Sequence, residues 1–338
     1  MRKFILAIAL LFGIVFLFTR FTEMQSVVET LERGVINFIL AALLLVFVLY
    51  VNIAATYRAI YEVVGIKESI SRLLALSMGA YFVNVVAPIA GMSGIAMFVS
   101  DARNRGMSTA KVTVATALFV LFDYVGFLFV LTLGLAVLAR RNELDWPEIS
   151  ASIILVIIAL FITFLLYLGA KSGETLAKFL TAGGKIINAM VRPFIHREYL
   201  SLERARSFAL EVAEGLSAMR FTPRSWIKPI ILAVNNKAIL ITIMMMCFLA
   251  FRQSFTAGTI IAGFSIGYLF VIVSPTPSGI GIVEGIMTLV LKSLRVPLES
   301  AAVIVLAFRG VTFWFPLLPG MIAFRWLSRE NPPAEPAT

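Results

Sequence analysis

Four ionisable side chains lie within stretches of sequence that are otherwise apolar: Asp123, Lys237, Glu284 and Arg309. A charge at the centre of a bilayer costs about 3 kcal/mol or more, so such a group usually faces a partner or a water-filled cavity. The planar guanidinium of Arg309 matches a phosphate ester, and Lys237 offers a second, compact cation. We predict that both cations contact a phosphate group, and that Glu284 and Asp123 balance their charges when the site is empty.

The same residues also have structural interpretations. Asp123 with Lys237, and Glu284 with Arg309, would form buried ion pairs that fix helix packing. Glu284 also stands in the first turn of an expected half-helix, where a carboxylate stabilises the helix terminus. Four asparagines are either headgroup contacts or helix-to-helix hydrogen-bonding groups: Asn52, Asn84, Asn235 and Asn236. Of these, Asn84 is the candidate for the binding site.

Two hydrophobic stretches, 73–100 and 257–294, are interrupted by proline and glycine. The interrupting residues are Pro88, Gly91 and Gly94 in the first stretch, and Pro275, Pro277, Gly279 and Gly281 in the second. Proline removes an amide donor and glycine permits an open backbone, so each stretch should break into two half-helices. We predict two re-entrant hairpins, whose half-helix N-termini add anion affinity at the middle of the membrane.

Composition places these stretches in a bilayer. Of 338 residues, 60% are hydrophobic and 14% charged, and the mean hydropathy of +0.96 excludes an ordinary soluble domain. The apolar runs are long and continuous, which favours helices over a barrel, so the predicted fold is an all-α integral membrane protein, a polytopic helical bundle.

The net charge of +10 is assigned to cytoplasmic loops rather than to nucleic acid binding. One cysteine and one histidine predict no disulfide framework, metal site or cofactor.

Spanning helices are predicted at 3–19, 34–57, 112–138, 149–170, 226–250 and 299–326. The first is expected to be an uncleaved helix, because no Ala-x-Ala-like site follows it. Residues 1–330 would form a single transmembrane domain, with a basic cytoplasmic loop at 171–225 that carries an amphipathic helix, and 331–338 a disordered tail. The predicted inner segments carry 20 of the 29 Lys and Arg residues, which places both termini in the cytoplasm of a cell-membrane protein.

The two interrupted stretches are related by an internal repeat. A shift of 187 positions superposes Pro88 on Pro275 and Gly94 on Gly281. It also brings the preceding helix, 34–57, onto 221–244. Repeat one would run over about 34–140 and repeat two over about 221–328, in opposite orientations across the membrane. Paired Gly/Pro-interrupted segments of this kind indicate the central site of a transporter.

The motifs resemble those of a known family. They are Asn84-x-x-x-Pro88-x-x-Gly91-x-x-Gly94, Asp123 within a helix, Pro275-x-Pro277-x-Gly279-x-Gly281-x-x-Glu284, and Arg309 followed by Pro316 and Gly320. Over roughly 5–328 the chain resembles the flippase-like membrane family that includes the transmembrane region of lysylphosphatidylglycerol synthase. The resemblance implies a lipid-translocating role. The chain departs from the family pattern at Met97-Phe98, where many members carry a charged pair, and it shows no soluble aminoacyl-transferase region, so synthase activity is not expected.

The leading hypothesis is therefore a translocase that moves an anionic lipid through a midplane cavity between the two hairpins. Candidate substrates are phospholipids, aminoacylated lipids or glycolipids, and polyprenyl-phosphate carriers. No G-x-x-x-x-G-K-[ST] pattern for ATP is present in the sequence. The alternatives are an integral membrane enzyme that modifies a lipid headgroup, a channel or small-solute carrier, and a non-catalytic partner of a lipid synthase. A lipid synthase and a second copy of the chain are the protein partners left open.

Overall fold

The computed structural model describes residues 27–86, 93–191, 201–217, 223–274 and 276–330. Every regular element in these ranges is helical, and no strand occurs in them. The all-α fold class is therefore confirmed for the described part of the chain. The helix predicted at 3–19 and the tail predicted at 331–338 lie outside it.

The helices differ widely in length. In chain order they are α1 (described over 27–32), α2 (Ile36–Val63), α3 (Ile70–Val86), α4 (Ser93–Asn104), α5 (Thr109–Arg140), α6 (Trp146–Lys171), α7 (Gly173–Val191), α8 (Leu202–Ser217), α9 (Pro223–Ala250), α10 (Ala257–Val273), α11 (Ile282–Ser293), α12 (Leu298–Arg309) and α13 (Leu317–Glu330). A single 3₁₀ turn (Pro277–Gly279) lies between α10 and α11, and a π-helical turn (Gly310–Trp314) follows α12.

Five helical segments are long and apolar enough to cross a membrane: Ile36–Val63, Thr109–Arg140, Trp146–Lys171, Ser225–Ala250 and Leu298–Glu330. They coincide with five of the six predicted spans. α6 illustrates the pattern, because it buries small residues such as Ala151 and Ala159 while Ile157, Leu160 and Phe164 are exposed. Large apolar groups on the outside of a long helix suit lipid rather than water. The chain is a multi-span membrane protein.

The chain divides into two compact units. The first unit contains the described residues up to Val48, together with Leu133–Leu144 and Ile239–Leu318, and the second contains Leu49–Thr132, Asp145–Ala238 and the described residues from Pro319. Each unit contains one of the interrupted stretches. The first has α10 and α11, the second has α3 and α4, and in both cases the two helices pack against each other. The predicted division of each stretch into two helices is confirmed.

Aromatic rings form the centre of the second unit. Tyr57 on α2 stacks on Phe98 of α4, with ring centroids 4.5 Å apart, and on Phe119 of α5, with centroids 4.0 Å apart. Stacked rings bury a large apolar area and add roughly 0.5–1.5 kcal/mol per pair beyond that burial. The stack therefore joins α4, the second helix of the interrupted stretch, to two spanning helices.

The segment 171–225 contains more structure than the basic loop that the sequence predicts. The amphipathic helix is present as α8, and its buried residues Ala209, Val212 and Leu216 lie on one face. That face packs against α6 and against a further helix, α7, which the sequence analysis did not predict. α7 was missed because its five Gly and Lys positions obscure an apolar face that includes Leu176 and Ala177.

Gly320, part of the sequence motif, allows α13 to approach α3 within the second unit. A Cβ added at Gly320 would lie 2.7 Å from the Met78 carbonyl oxygen and 3.0 Å from Phe82 Cβ. Because a backbone carbonyl cannot rotate aside, we expect Gly320→Ala to lower the free energy of unfolding by about 1–3 kcal/mol. The thermal unfolding midpoint of the purified protein in detergent measures this change. Gly183→Ala on α7 is the control, since no atom lies within 4 Å of its added Cβ, and an equal fall in both variants would contradict the packing argument.

Candidate functional site

The second interruption forms a polar turn in the first unit. α10 ends at Val273, and the Ser274 hydroxyl accepts a hydrogen bond from the Thr276 amide at 3.2 Å. Three residues of the turn have positive φ: Ser278 at 54°, Gly279 at 72° and Gly281 at 77°. Glycine adopts such values freely, whereas another residue does so at a cost of about 1–2 kcal/mol. Ser278 is therefore strained, and its surroundings must hold it in place.

Glu284 connects this turn to two partners. One carboxylate oxygen, Oε2, accepts a hydrogen bond from the Gly281 amide at 2.7 Å and so caps α11. The other, Oε1, accepts from Arg309 Nε at 2.6 Å. Both structural interpretations of Glu284, the cap and the ion pair, are present together. The carboxylate is fixed from two directions, so it can hold the guanidinium in one orientation.

Arg309 is the last residue of α12 and is only 5% exposed. Besides its bond to Glu284, its Nη2 donates to the Ser278 carbonyl at 3.0 Å. The Phe313 ring centroid lies 4.4 Å from the guanidinium carbon, which adds a cation–π contact. One guanidinium therefore holds both the strained residue of the turn and the carboxylate that caps α11.

The hydrogen bonds of Arg309 leave part of its donor capacity unused. A guanidinium has five N–H groups. Nε and Nη2 each donate one bond, and Nη1 makes none to any residue that the structure describes. Three N–H groups thus remain available on a nearly buried side chain. An oxyanion such as a phosphate is a suitable acceptor for the remaining donors.

The backbone after Arg309 departs from a regular helix. The Phe315 amide donates to the Gly310 carbonyl at 2.9 Å, which closes the π-helical turn. A Cβ at Gly310 would lie 2.4 Å from Val27 Cγ1, so glycine allows the close approach of α1 at this point. π-helical turns are rare in proteins overall, but many of those that occur lie at functional sites. The irregular turn Gly310–Trp314 directly follows Arg309, the residue whose N–H groups are partly unused.

The first interruption, in the second unit, has a different hydrogen-bond arrangement. Asn84 on α3 accepts a bond from the Gly94 amide through Oδ1 at 2.7 Å and so caps α4 from across the break. A Cβ at Gly94 would lie 2.5 Å from Asn84 Nδ2, so glycine is needed for this contact. The structure therefore gives Asn84 a helix-to-helix hydrogen bond. Its predicted role as a headgroup contact stays a prediction.

Lys237 and Asp123 form the second predicted pair, between α9 and α5 of the second unit. Lys237 Nζ donates to Asp123 Oδ1 at 2.7 Å, and the Phe127 ring centroid is 5.9 Å from Nζ. The two partners differ in exposure: the Lys237 side chain is 1% exposed and that of Asp123 is 16%. Close packing permits this pair, because a Cβ at Gly126 would lie 3.2 Å from the Ala233 backbone.

Three of the four predicted asparagines form one network next to this pair. Asn52 Nδ2 donates to the Asn236 side chain at 2.6 Å and to the Leu232 carbonyl at 2.8 Å. Asn235 Nδ2 in turn donates to Asn52 Oδ1 at 3.0 Å. These bonds join α2 to α9, which is the helix-to-helix interpretation that the sequence left open.

A family model described as the lysylphosphatidylglycerol synthase transmembrane region matches residues 4–320. The chain belongs to this family. The UPF0104 membrane protein MJ1595 of Methanocaldococcus jannaschii is 24% identical to it over 321 residues, which cover 91% of this chain and 90% of that protein. The resemblance that the motifs predict is confirmed over nearly the whole sequence.

In this member of the lysylphosphatidylglycerol synthase transmembrane-region family, the two apolar residues that depart from the motif have packing roles. Phe98 belongs to the aromatic stack on Tyr57. Met97 covers Gly79 on α3, where an added Cβ would lie 2.5 Å from its terminal methyl carbon. The positions after the first interruption therefore fasten α4 to its neighbours through apolar contacts.

The structure brings the predicted site residues together in three groups. Arg309 joins Glu284, Lys237 joins Asp123, and Asn84 joins Gly94. Pro277, Gly279 and Gly281 lie in the turn before α11, while Pro88, Gly91 and Pro275 lie outside the described residues. Among those described, no group of three or more His, Cys, Asp or Glu side chains could hold a metal ion.

Two contributors to the Arg309 centre were missed from the sequence. The Ser278 carbonyl left no signal, because serine is not a residue that predicts a positive φ. Phe313 did leave one, since it lies four residues after Arg309, the spacing at which side chains on a helix meet.

Proposed function

We propose that this family member moves an anionic, phosphate-bearing lipid between the two leaflets of the cell membrane. Membership of a family named for a lipid synthase, together with the spanning helices, supports a role in lipid chemistry within the bilayer. The observation that carries the proposal is the guanidinium of Arg309, which is nearly buried and has three unused N–H groups. In the proposal these groups receive the phosphate oxygens.

The charge balance of the Arg309 centre suits a ligand that binds reversibly. Glu284 neutralises Arg309 when no substrate is present, so the empty site carries no net charge. A phosphate diester brings one negative charge and accepts from the Nη1 and Nη2 groups without displacing Glu284 from Nε. The short half-helix α11 directs its N-terminus toward the same turn, and its dipole favours an anion.

We further propose that both interrupted stretches are re-entrant and belong to an inverted repeat. Helix lengths support it: α2 and α9 each have 28 residues and begin at 36 and 223, which are 187 positions apart. α3 and α10 each have 17 residues and begin at 70 and 257, again 187 apart. α4 and α11 each have 12 residues. A helix of 12 residues is shorter than the roughly 17–25 that a span requires, and a helix of 17 residues is at the lower limit of that range.

The proposed orientation places both termini in the cytoplasm, as the distribution of Lys and Arg predicts. In that orientation the α3–α4 stretch enters the membrane from the inside and the α10–α11 stretch from the outside. The midplane ends of discontinuous helices are where transporters bind ionic substrates. In the proposal, the turn where Arg309 Nη2 bonds the Ser278 carbonyl is such an end in the first unit.

Transfer of labelled lipids in proteoliposomes tests the proposal. Vesicles with the purified chain should move fluorescent phosphatidylglycerol between leaflets faster than empty vesicles do, and faster than they move fluorescent phosphatidylcholine, whose headgroup has no net charge. Mass spectrometry of the recovered lipid is the second readout. If phosphatidylglycerol and other anionic lipids move no faster than in empty vesicles, the proposal is wrong. A change in lipid mass would instead support the enzyme that modifies headgroups.

A further inference from the structure

A second concentration of positive charge lies at one end of the first unit, away from the Arg309 turn. The helices α5, α9 and α11 all end there, and α10 begins there. A cavity of about 690 Å³ opens between these helix ends. Its lining includes three arginines, Arg140, Arg141 and Arg295, and a single carboxylate, Glu143. We call it the arginine cavity.

The arginines of this cavity carry no compensating ion pair within the described residues. Arg140 and Arg295 make no side-chain hydrogen bond there, and both are exposed. Arg141 donates only long bonds, at 3.3 Å to Thr256 Oγ1 and at 3.4 Å to the Leu294 carbonyl oxygen. Even with Glu143 counted, the lining has an excess of positive charge and many free N–H donors.

The first turn of α10 adds donors of a second kind. Thr256 caps the helix by accepting a bond from the Thr259 amide at 3.2 Å, and its hydroxyl also meets the Thr259 hydroxyl at 2.9 Å. Ser254 and Ser293 supply further hydroxyl groups to the lining. A helix N-terminus beside arginine and hydroxyl side chains is the combination that binds phosphate in proteins.

Close helix packing fixes this arrangement. A Cβ at Gly134 on α5 would lie 2.5 Å from Ser265 Oγ on α10, and a Cβ at Gly258 would lie 3.2 Å from Val137 Cγ1. These two glycines allow α5 and α10 to run side by side. Arg141, one residue beyond the end of α5, is thereby held over the first turn of α10.

Arg295 has an unusual backbone conformation for an arginine, and its place in the predicted topology is unusual as well. Arg295 follows α11 with φ of 68°, a position at the end of a helix that normally favours glycine. In the orientation predicted from the sequence this end of the unit faces outside, where the distribution rule disfavours arginine.

We infer that the arginine cavity binds a phosphate-bearing anion, either the headgroup of an anionic lipid in the adjacent leaflet or free phosphate. Its volume lies in the range of roughly 300–1,000 Å³ that is usual for small-molecule sites. The site is separate from Arg309, because the twelve-residue helix α12 runs from Leu298 to Arg309 and its eleven residue steps give a rise of about 17 Å. The inference does not require translocation, because binding is measured at equilibrium.

The test uses the full chain in an uncharged detergent at constant ionic strength. Calorimetry measures the affinity for short-chain phosphatidylglycerol and, separately, for inorganic phosphate. Arg295→Gln is the main variant, since Arg295 makes no side-chain contact that folding requires in the described structure. Arg252→Gln is its matched control: Arg252 also follows a helix, has φ of 52°, is exposed and does not line the cavity.

We expect Arg295→Gln and Arg141→Gln each to weaken binding about tenfold, and Arg252→Gln to leave it within about twofold of wild type. Binding of phosphatidylglycerol that phosphate does not displace would identify a lipid headgroup, whereas displacement would identify the phosphate group alone as the ligand. Equal weakening by Arg295→Gln and Arg252→Gln would mean diffuse attraction and would overturn the inference. So would the absence of saturable binding of both probes to the wild type. Unfolding midpoints show whether Arg141→Gln remains folded.

Discussion

Vesicles that contain the double variant Glu284→Gln with Arg309→Met should transfer phosphatidylglycerol no faster than empty vesicles, although the protein is folded. The variant removes both charges together, so neither position is left with a buried ion that has lost its partner. Glutamine at 284 retains an oxygen that can accept from the Gly281 amide and cap α11. The Arg309 N–H groups that would receive the phosphate are lost.

The expected loss is large because several charge-assisted bonds are removed at once. Each such bond contributes about 1.5–3 kcal/mol, so the loss of two corresponds to roughly a hundredfold or more in rate. Arg309→Lys should give an intermediate rate, since an ammonium keeps the charge but cannot reproduce the planar fork that bonds Glu284 and Ser278 together. The measurement is leaflet-resolved transfer, with the unfolding midpoint recorded for every variant.

The single variant Arg309→Met serves as the contrast. It leaves Glu284 without its cation, and removal of one partner from a buried pair destabilises a protein by about 3–5 kcal/mol. Because Glu284 is 24% exposed, the lower end of that range applies. If the neutral double variant transferred lipid at the wild-type rate, Arg309 and Glu284 would form a structural pair only, and the proposed headgroup site would be wrong.

Much of this centre could be predicted from residue types, because each prediction rested on a local rule. Glycine and proline mark the breaks, and Glu284 lies three residues after Gly281, the spacing of a capping box. The pairing of Glu284 with Arg309, 25 residues apart, followed from the need of each buried charge for an opposite one. The boundaries of α2 and α9, and those of α3 and α10, are 187 positions apart, which is the shift predicted from the recurring proline and glycine.

What could not be predicted depends on contacts between distant segments. The sequence analysis assigned no site to Arg141 and Arg295, because nothing local shows that the ends of α5 and α11 meet at the start of α10. Asn84 was placed at a binding site, and its bond to Gly94 depends on how α3 and α4 pack across the break. Helix α7 was missed because its stability comes from packing against α8 rather than from its composition.

The pair of Lys237 and Asp123 offers the sharpest comparison with the Arg309 centre, because it too joins one cation and one carboxylate inside a spanning region. Its burial is greater, since the Lys237 side chain is 1% exposed, and that favours a packing role over contact with a substrate. We expect Lys237→Met alone to lower the free energy of unfolding by about 3–5 kcal/mol, because Asp123 loses the cation beside it.

The double variant Lys237→Met with Asp123→Asn separates the two roles. Asparagine keeps the hydrogen-bonding capacity of position 123 and removes its charge, so most of the lost stability should return. If the pair only fixes the packing of α5 on α9, this neutral variant transfers phosphatidylglycerol at a rate close to wild type. The double variant Glu284→Gln with Arg309→Met, in contrast, is expected to transfer phosphatidylglycerol no faster than empty vesicles. Loss of transfer from both folded double variants would instead assign Lys237 to the substrate, as a second cation for the phosphate. The two double variants therefore control for each other. Each removes one positive and one negative charge, and only the variant of the pair that contacts the lipid should slow the transfer of that lipid.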